Sequence, residues 1–299
     1  MHIVALVNGR ARKKGRVLSD LKKIRDHKVH VWVTKQASDT QKFTKQAVDS
    51  NTDLLIICGG DGTANKVVNE LMNYPPSKRP TIAIFPCGSA NDFSKSLKHS
   101  NIEATIDRFV KGDITPVDLC QLSTLKQSVY ALNMATCGIG ANVVQSVNLG
   151  KHWIPPSIRF FVATVSWIIR YKPSKLRIRV GDMMTDNKLF LAAFGNGKYV
   201  GSGLGLCPQA ELDNGKFAVT LISKIRIFDF LRHLNEIKKA KFVKNDPRIL
   251  YHNSNFAEIK VMDGKLSIET DGEFFQTLRK GDTVRFGCAA RALKFVSGV

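Results

Sequence analysis

The segment Asp53-Leu54-Leu55-Ile56-Ile57-Cys58, followed at once by Gly59-Gly60-Asp61-Gly62-Thr63, constrains this chain more than any other. A nearly unbroken apolar run suits a parallel strand covered on both faces. The loop after it therefore sits at a carboxyl strand end, and the stretch up to about Asn73 reads as the helix that follows. Ligands of open α/β sheets collect at that end, where a helix N-terminus favours anions. Three glycines let backbone amides crowd a polyanion, and Asp61 keeps a metal-seeking carboxylate close by. The alternative is a tight strand-to-helix turn whose glycines serve geometry alone.

A second loop repeats the arrangement. Thr81–Phe85 reads as another buried strand, and Pro86-Cys87-Gly88-Ser89-Ala90-Asn91-Asp92-Phe93 follows it. Alone, this loop is compatible with an ordinary helix N-cap. Two such loops at neighbouring strand ends favour one shared anion site. Near the other end, Thr270-Asp271-Gly272-Glu273 follows the alternating segment Lys265–Glu269, where Asp-Gly also suits a plain hairpin turn.

The 299 residues, 43% of them apolar, suffice for two substantial cores. Residues 1–120 alternate strand-like runs (Ile3–Val7, Val29–Thr34, Asp53–Cys58, Thr81–Phe85) with helical stretches, the pattern of an α/β domain with a parallel sheet. From about Val117 the texture changes. Ser128–Cys137, Leu176–Val180, Leu189–Phe194, Phe217–Ile222, Ala257–Val261 and Lys265–Thr270 read as strands separated by turn residues, so residues 121–287 form a β-rich domain. Six scattered cysteines lack CxxC or Cys/His ligand spacing and read as small apolar core residues in a reducing cytoplasm. Ile3–Val7 is too short for a secretory signal, and Trp153–Tyr171 is interrupted by Pro155, Pro156 and Arg159, so it reads as a packed helix or a lipid-facing lid rather than a span.

Forty-five basic against 25 acidic residues give a net charge of +20, which attracts nucleic acid and anionic lipid alike. No nucleic-acid-binding module accompanies the charge, so no specific nucleic acid is expected. Ile225–Lys241 places Ile227, Phe230, Leu231, Leu234 and Ile237 at helical intervals among Arg226, Arg232, Lys238, Lys239 and Lys241. That pattern suits a docked helix with a basic face, or a helix lying on a membrane surface.

Together GGDGT at 59–63, PCGSANDF at 86–93, Gly195-Asn196-Gly197, Pro208–Phe217 and TDGE at 270–273 resemble the diacylglycerol kinase catalytic-domain family, which includes sphingosine kinases and bacterial lipid kinases. The resemblance covers nearly the whole chain. It implies an NAD kinase/diacylglycerol kinase-like α/β domain, a β-sandwich second domain, and a return of about 288–299 to the first. It further implies ATP-dependent phosphorylation of a lipid hydroxyl by a cytoplasmic enzyme adsorbed peripherally on an anionic membrane surface, and it admits a homodimer. Its nucleotide site would use Asn8, Thr34, Gly59, Gly60, Asp61, Gly62, Thr63, Ala64, Asn65 and Ser89. Its general base matches Glu273, with Asp271 beside it and Asp61 counted with them as catalytic, and a structural Mg2+ is expected at Glu211, Asn214 and the carbonyl of Lys216.

Four positions depart from that pattern. The first loop, usually Asn-Pro-x-Ser/Ala-Gly, is here Asn8-Gly9-Arg10-Ala11-Arg12-Lys13-Lys14-Gly15; Lys66 replaces a Glu; Ser89 replaces a Thr; Asn214 stands where Asp is frequent. Loss of a charge at Asn214 weakens a hard-cation site. Two rivals stay open: a soluble NAD-kinase-like phosphotransferase, which would act without vesicles, and a non-catalytic lipid- or nucleic-acid-binding relic, which would release no ADP.

Overall fold

A computed structural model describes residues 1–97, 101–150, 154–243 and 246–296. Trp153 and residues 297–299 of the returning segment lie outside the described residues. The chain forms two units, Met1–Val117 with Arg291–Val299, and Asp118–Ala290.

In the first unit β1 (Ile3–Val7), β2 (Val29–Val33), β3 (Leu54–Gly59) and β4 (Thr81–Pro86) pair in parallel, in the order β2-β1-β3-β4. The helices α1 (Lys14–Lys23), α2 (Asp39–Asp49), α3 (Asp61–Leu71) and α4 (Ile102–Lys111) follow those strands in turn. Every residue of β1 and β3 is buried, because both faces of these strands are covered. On one face Ile3, Ala5, Val7, Leu54, Ile56 and Cys58 meet Val17 and Leu21 of α1 and Ile102 and Ile106 of α4. Each fully buried Leu or Ile here contributes about 1.5–3 kcal/mol. Asn101 caps α4 by accepting the Ala104 N–H at 2.8 Å, and Gly112 ends it at φ 81°, a conformation that suits glycine. At the end of the chain Phe295 pairs in parallel with Ile82 of β4, which gives the unit its returning strand.

The second unit is antiparallel. It contains the later part of β5 (Ile114–Ser123), then β6 (Ser128–Ala131), β7 (Met134–Gly138), α5 (Ile139–Leu149), α6 (Pro156–Arg170), β8 (Lys175–Val180), β9 (Met183–Lys188) and β10 (Leu191–Gly195). The short pair β11 (Tyr199–Val200) and β12 (Leu204–Gly205) precedes β13 (Phe217–Ile222), α7 (Ile227–Arg232), α8 (Leu234–Lys238), β14 (Ile249–Ser254), β15 (Phe256–Asp263), β16 (Lys265–Thr270), β17 (Glu273–Arg279) and β18 (Thr283–Val296). One sheet runs β14-β13-β10-β7-β16-β17, and β9-β8-β15-β18 runs through the other. Their inner faces form a sandwich core: Ile178, Ile259 and Phe286 meet Cys137, Phe194, Val219 and Ile268. Phe194 and Phe286 stack with ring centroids 3.8 Å apart. β8 alternates exposed and buried residues along its length, as a strand with one solvent face must. The outer face of the β7–β10–β13 sheet carries α5 to α8, whose Ile139, Val143, Ile168 and Phe230 pack on Phe190, Leu191 and Ile222.

Two sequence expectations change. The run Ser128–Cys137 is two strands, because the N–H groups of Leu132, Asn133 and Met134 turn to the Asp271 carboxylate at 2.8–2.9 Å. Ile225–Lys241 is two short helices divided at His233, whose backbone (φ −96°, ψ 6°) leaves the α region.

Candidate active site

In the first unit the two glycine loops stand at the carboxyl ends of adjacent strands, where Gly59 of β3 pairs with Pro86 of β4. They touch backbone to backbone. A Cβ on Gly88 would lie 2.4 Å from Gly60 Cα, and one on Gly60 would lie 3.0 Å from Gly88 Cα, so a side chain at Gly88 would displace its neighbour. Asp61 opens α3, and its carboxylate accepts the N–H groups of Asp92 at 3.0 Å and Phe93 at 3.1 Å. Burial raises this carboxyl above its usual range, opposed by those two N–H groups and by Lys95. The carboxylate is thus a clasp between the loops. Lys95 in turn pairs with Asp92.

Three other sequence-selected residues converge on the same strand ends. Asn8 donates its amide to Thr63 Oγ1 at 2.9 Å, and Thr34 Oγ1 accepts the Gly9 N–H at 3.1 Å. Ala64 and Asn65 are buried in α3, with Asn65 accepting from Asn69 Nδ2 through its carbonyl and its side chain. Ser89 is exposed on the second loop, which Asn91 folds by accepting from Gly88 N and donating to Gly88 O. Gly62 belongs to the first turn of α3, where the Thr63 and Ala64 N–H groups bond to the Gly60 carbonyl and those of Asp61 and Gly62 stand ahead of the helical ladder, a position that suits an anion.

In the second unit Asp271 and Glu273 part company. Asp271, buried at φ 50°, holds the three backbone amides that end β6 and begin β7, a staple for the turn. Glu273, first residue of β17, is exposed and paired in register with Thr270. Between them the Gly272 N–H is donated to Glu269 Oε2 at 2.9 Å, while Glu269 Oε1 accepts from Thr136 Oγ1 at 2.7 Å. Sequence reasoning passed over Glu269. The signal available to it was a carboxylate set among Ile268, Thr270 and other inward residues of a strand.

Glu269, Thr136 and Gly140 line one side of a cavity of about 110 Å³ whose remaining walls are apolar apart from Thr164. Phe160, Thr164 and Ile168, one stripe of α6, line it with Val143 and Val144 of α5 and Phe230 of α7. A neighbouring hollow of about 220 Å³ shares Gly201, Leu204 and Phe230 with it and extends to Ile158, Phe161 and Lys238. Above the stripe, α6 and α7 turn Ile158, Phe161, Val162, Ile169, Phe228 and Leu231 outward; Phe228 is 74% exposed.

The loop of Glu211, Asn214 and Lys216 closes on itself. Asn214 Nδ2 donates to Glu211 Oε2 at 3.2 Å, and Asn214 Oδ1 accepts the Lys216 N–H at 3.0 Å. The amide hydrogens thus occupy the side of Glu211 that a shared cation would need, so these residues as arranged do not fit the expected cation site. No cluster of three or more His, Cys, Asp or Glu suited to a metal occurs among the described residues.

Residues 2–122 match the family model for the diacylglycerol kinase catalytic domain, and residues 133–293 match that for the YegS C-terminal NAD kinase beta sandwich-like domain. A protein of Shewanella frigidimarina (strain NCIMB 400) named "Probable lipid kinase YegS-like" is 27% identical over 300 residues, covering 99% of this chain and 93% of that protein. One of the same name from Yersinia pestis (strain Pestoides F) is 28% identical over 225 residues, 74% of this chain and 75% of that protein. Among solved structures, a diacylglycerol kinase from Bacillus anthracis str. Sterne superposes with a TM-score of 0.72 at 19% identity, covering 99% of this chain and 97% of that one. Yeast NADH kinase shares the fold more distantly, with a TM-score of 0.58 at 14% identity over 100% of this chain and 84% of that one. The fold is that of the two-domain proteins of diacylglycerol kinase and NAD kinase type. The chain belongs to the family of the YegS C-terminal NAD kinase beta sandwich-like domain, whose model spans more than half of it, and its first 122 residues carry the match to the diacylglycerol kinase catalytic domain.

Proposed function

We propose that this protein is an ATP-dependent lipid kinase that transfers the γ-phosphoryl group to a lipid hydroxyl, with a diacylglycerol or a sphingoid base as the acceptor class. The observation that carries the reading is the pair of glycine loops pressed together at Gly60 and Gly88 and clasped by Asp61, a rigid ring of backbone amides at the mouth of a parallel sheet. The clasp fixes the loops, and the opening amides of α3 at Asp61 and Gly62, with Asn8, Thr34, Thr63 and Ser89 around them, would hold the phosphates. The apolar cavity of the second unit would receive a lipid chain. Glu273, exposed and ionisable, would accept the proton of the acceptor hydroxyl as its oxygen bonds to the γ-phosphorus. The bond from that phosphorus to the bridging oxygen then breaks, and ADP leaves with the electron pair. Magnesium bound to the nucleotide would supply charge compensation on the phosphates; the loop at Glu211–Lys216 is not assigned to it.

Two further features support work at a membrane surface in a reducing compartment. The outward apolar residues of α6 and α7 lie among exposed Arg226, Arg232, Lys238 and Lys239, a combination that suits adsorption on anionic lipid. All six cysteines are free.

ATP turnover against a panel of single lipids in mixed micelles tests the kinase reading. ADP and phosphorylated lipid should appear together for one acceptor class; turnover only with a water-soluble acceptor favours the NAD-kinase-like rival, and none at all favours the relic. Sedimentation with vesicles tests adsorption. Binding should require anionic lipid, weaken as salt rises, and fall when Phe228 is replaced by Asp; equal binding to neutral vesicles at all salt concentrations would remove charge from the account.

A further inference from the structure

Glu269 is fully buried, yet it is the one carboxylate on the cavity wall. Burying a carboxylate costs free energy unless hydrogen bonds compensate. Here Thr136 of β7 and the Gly272 N–H each supply one, so the group joins the cavity to the turn that presents Glu273. A third bond steadies the same turn from α5, which also lines the cavity: Asn148 Nδ2 donates to the Gly272 carbonyl at 3.2 Å. We propose that Glu269 is a positioning residue for phosphoryl transfer, its ionised carboxylate holding the Gly272 amide and thereby fixing the neighbouring Glu273. The inference rests on the lipid kinase reading and on Glu273 as its base.

The chemistry follows from charge. An ionised Glu269 accepts from both donors, and a charge-assisted bond to the Gly272 N–H is short and strong. Protonated, it must direct its own hydrogen at one partner, and the bond to Gly272 becomes an ordinary neutral one. Burial pushes this group up to about 7, against the pull of Thr136 and Gly272, with the Asp271 charge adding to the rise. The other groups facing it change little in that range. Cys137 on β7 is raised by burial, and Tyr171 is pushed up to about 12, so both stay neutral. No residue of α5 is charged, while Arg159 and Arg170 of α6 bond to the Val147 carbonyl and to Ser166. On β17, Glu273 points to solvent.

The test uses Glu269→Gln in the full chain, with glycine-selective 15N labelling and steady-state kinetics from pH 5.5 to 8.5. The Gly272 amide resonance should titrate with a midpoint near 7 in the natural protein and stay flat in the variant. In parallel, kcat on the lipid acceptor should rise through the same midpoint. In Glu269→Gln, which can accept from only one of the two donors, kcat should be about 10- to 100-fold lower and lose that inflection, with the KM for ATP unchanged. A Gly272 amide that does not titrate in the natural protein overturns the proposal, as do superimposable kcat profiles. The amide titration needs no lipid, so an enzyme inactive on every lipid would sink the kinase reading while leaving that titration to be judged by itself.

Discussion

The anion cradle of the first unit and the acceptor side of the second are made of different material. In the cradle the critical atoms are backbone: Gly60 against Gly88, the opening amides of α3, and two N–H groups clasped by Asp61. On the acceptor side they are side chains contributed by four helices, α5 to α8, and six strands around one cavity. A backbone site demands glycine or a short polar residue at each position. A cavity asks only for apolar residues of suitable volume, and many substitutions satisfy it. The first unit should therefore fail sharply at single positions, and the second gradually.

The largest effect is expected where chemistry depends on one group. Glu273→Gln should leave nucleotide affinity unchanged and lower turnover by ~10²–10⁴; near-normal turnover would place the base elsewhere. Gly88→Ala breaks the comparison from the other side. Its methyl group would lie 2.4 Å from Gly60 Cα, so ATP affinity measured by calorimetry should fall by about tenfold or more while lipid binding persists. An unchanged affinity would remove the touching loops from the nucleotide site. On the cavity side, Val143→Trp should raise the KM for lipid several-fold, about 1 kcal/mol in transition-state terms, with ATP affinity intact. If ATP affinity fell equally, the two sites would not be separable in the way described.

A stability measurement sharpens the contrast further. Burial holds Glu269 at about 7 in the folded state, above the ordinary 4.5 of an exposed glutamate, so the fold favours the protonated form. That contribution is fully present below the unfolded value and is lost as pH rises through 7. Relative to Glu269→Gln, the natural protein should lose on the order of 3 kcal/mol of unfolding free energy between pH 4.5 and 8, read from denaturant midpoints at each pH. Parallel curves for the two proteins would mean that Glu269 is not buried in the way seen here. The smallest effect concerns the loop of Glu211 and Asn214. Millimolar Mg2+ should not alter the melting temperature of the natural protein, whereas Asn214→Asp should gain a rise of a few degrees with the cation. A cation-dependent rise in the natural protein would return that loop to the metal.

The same difference in material explains what the sequence disclosed. GGDGT and PCGSANDF were legible because backbone approach admits few residue types, and the strands before them were legible as apolar runs. The partners of Asp61 and Asp271 were not. Both carboxylates sat in motifs that suggested chemistry, yet in the fold they accept amides from Asp92 and Phe93, and from Leu132 to Met134. Those partners lie far away in sequence, and no local pattern announces them. Glu269 was illegible for the same reason, since its meaning depends on Thr136 across a strand pair. The helix expected over Ile225–Lys241 had the right apolar spacing, but periodicity does not record the break at His233.

The account stands or falls on transfer to a lipid. Incubating the protein with ATP, magnesium and mixed micelles of one acceptor lipid, and quantifying ADP and phosphorylated lipid together by mass spectrometry, measures it directly. The account predicts equal amounts of the two products with the natural protein, and a loss of both by ~10²–10⁴ in Glu273→Gln. ADP without phosphorylated lipid across the acceptor panel, or lipid phosphorylation undiminished in Glu273→Gln, would contradict it.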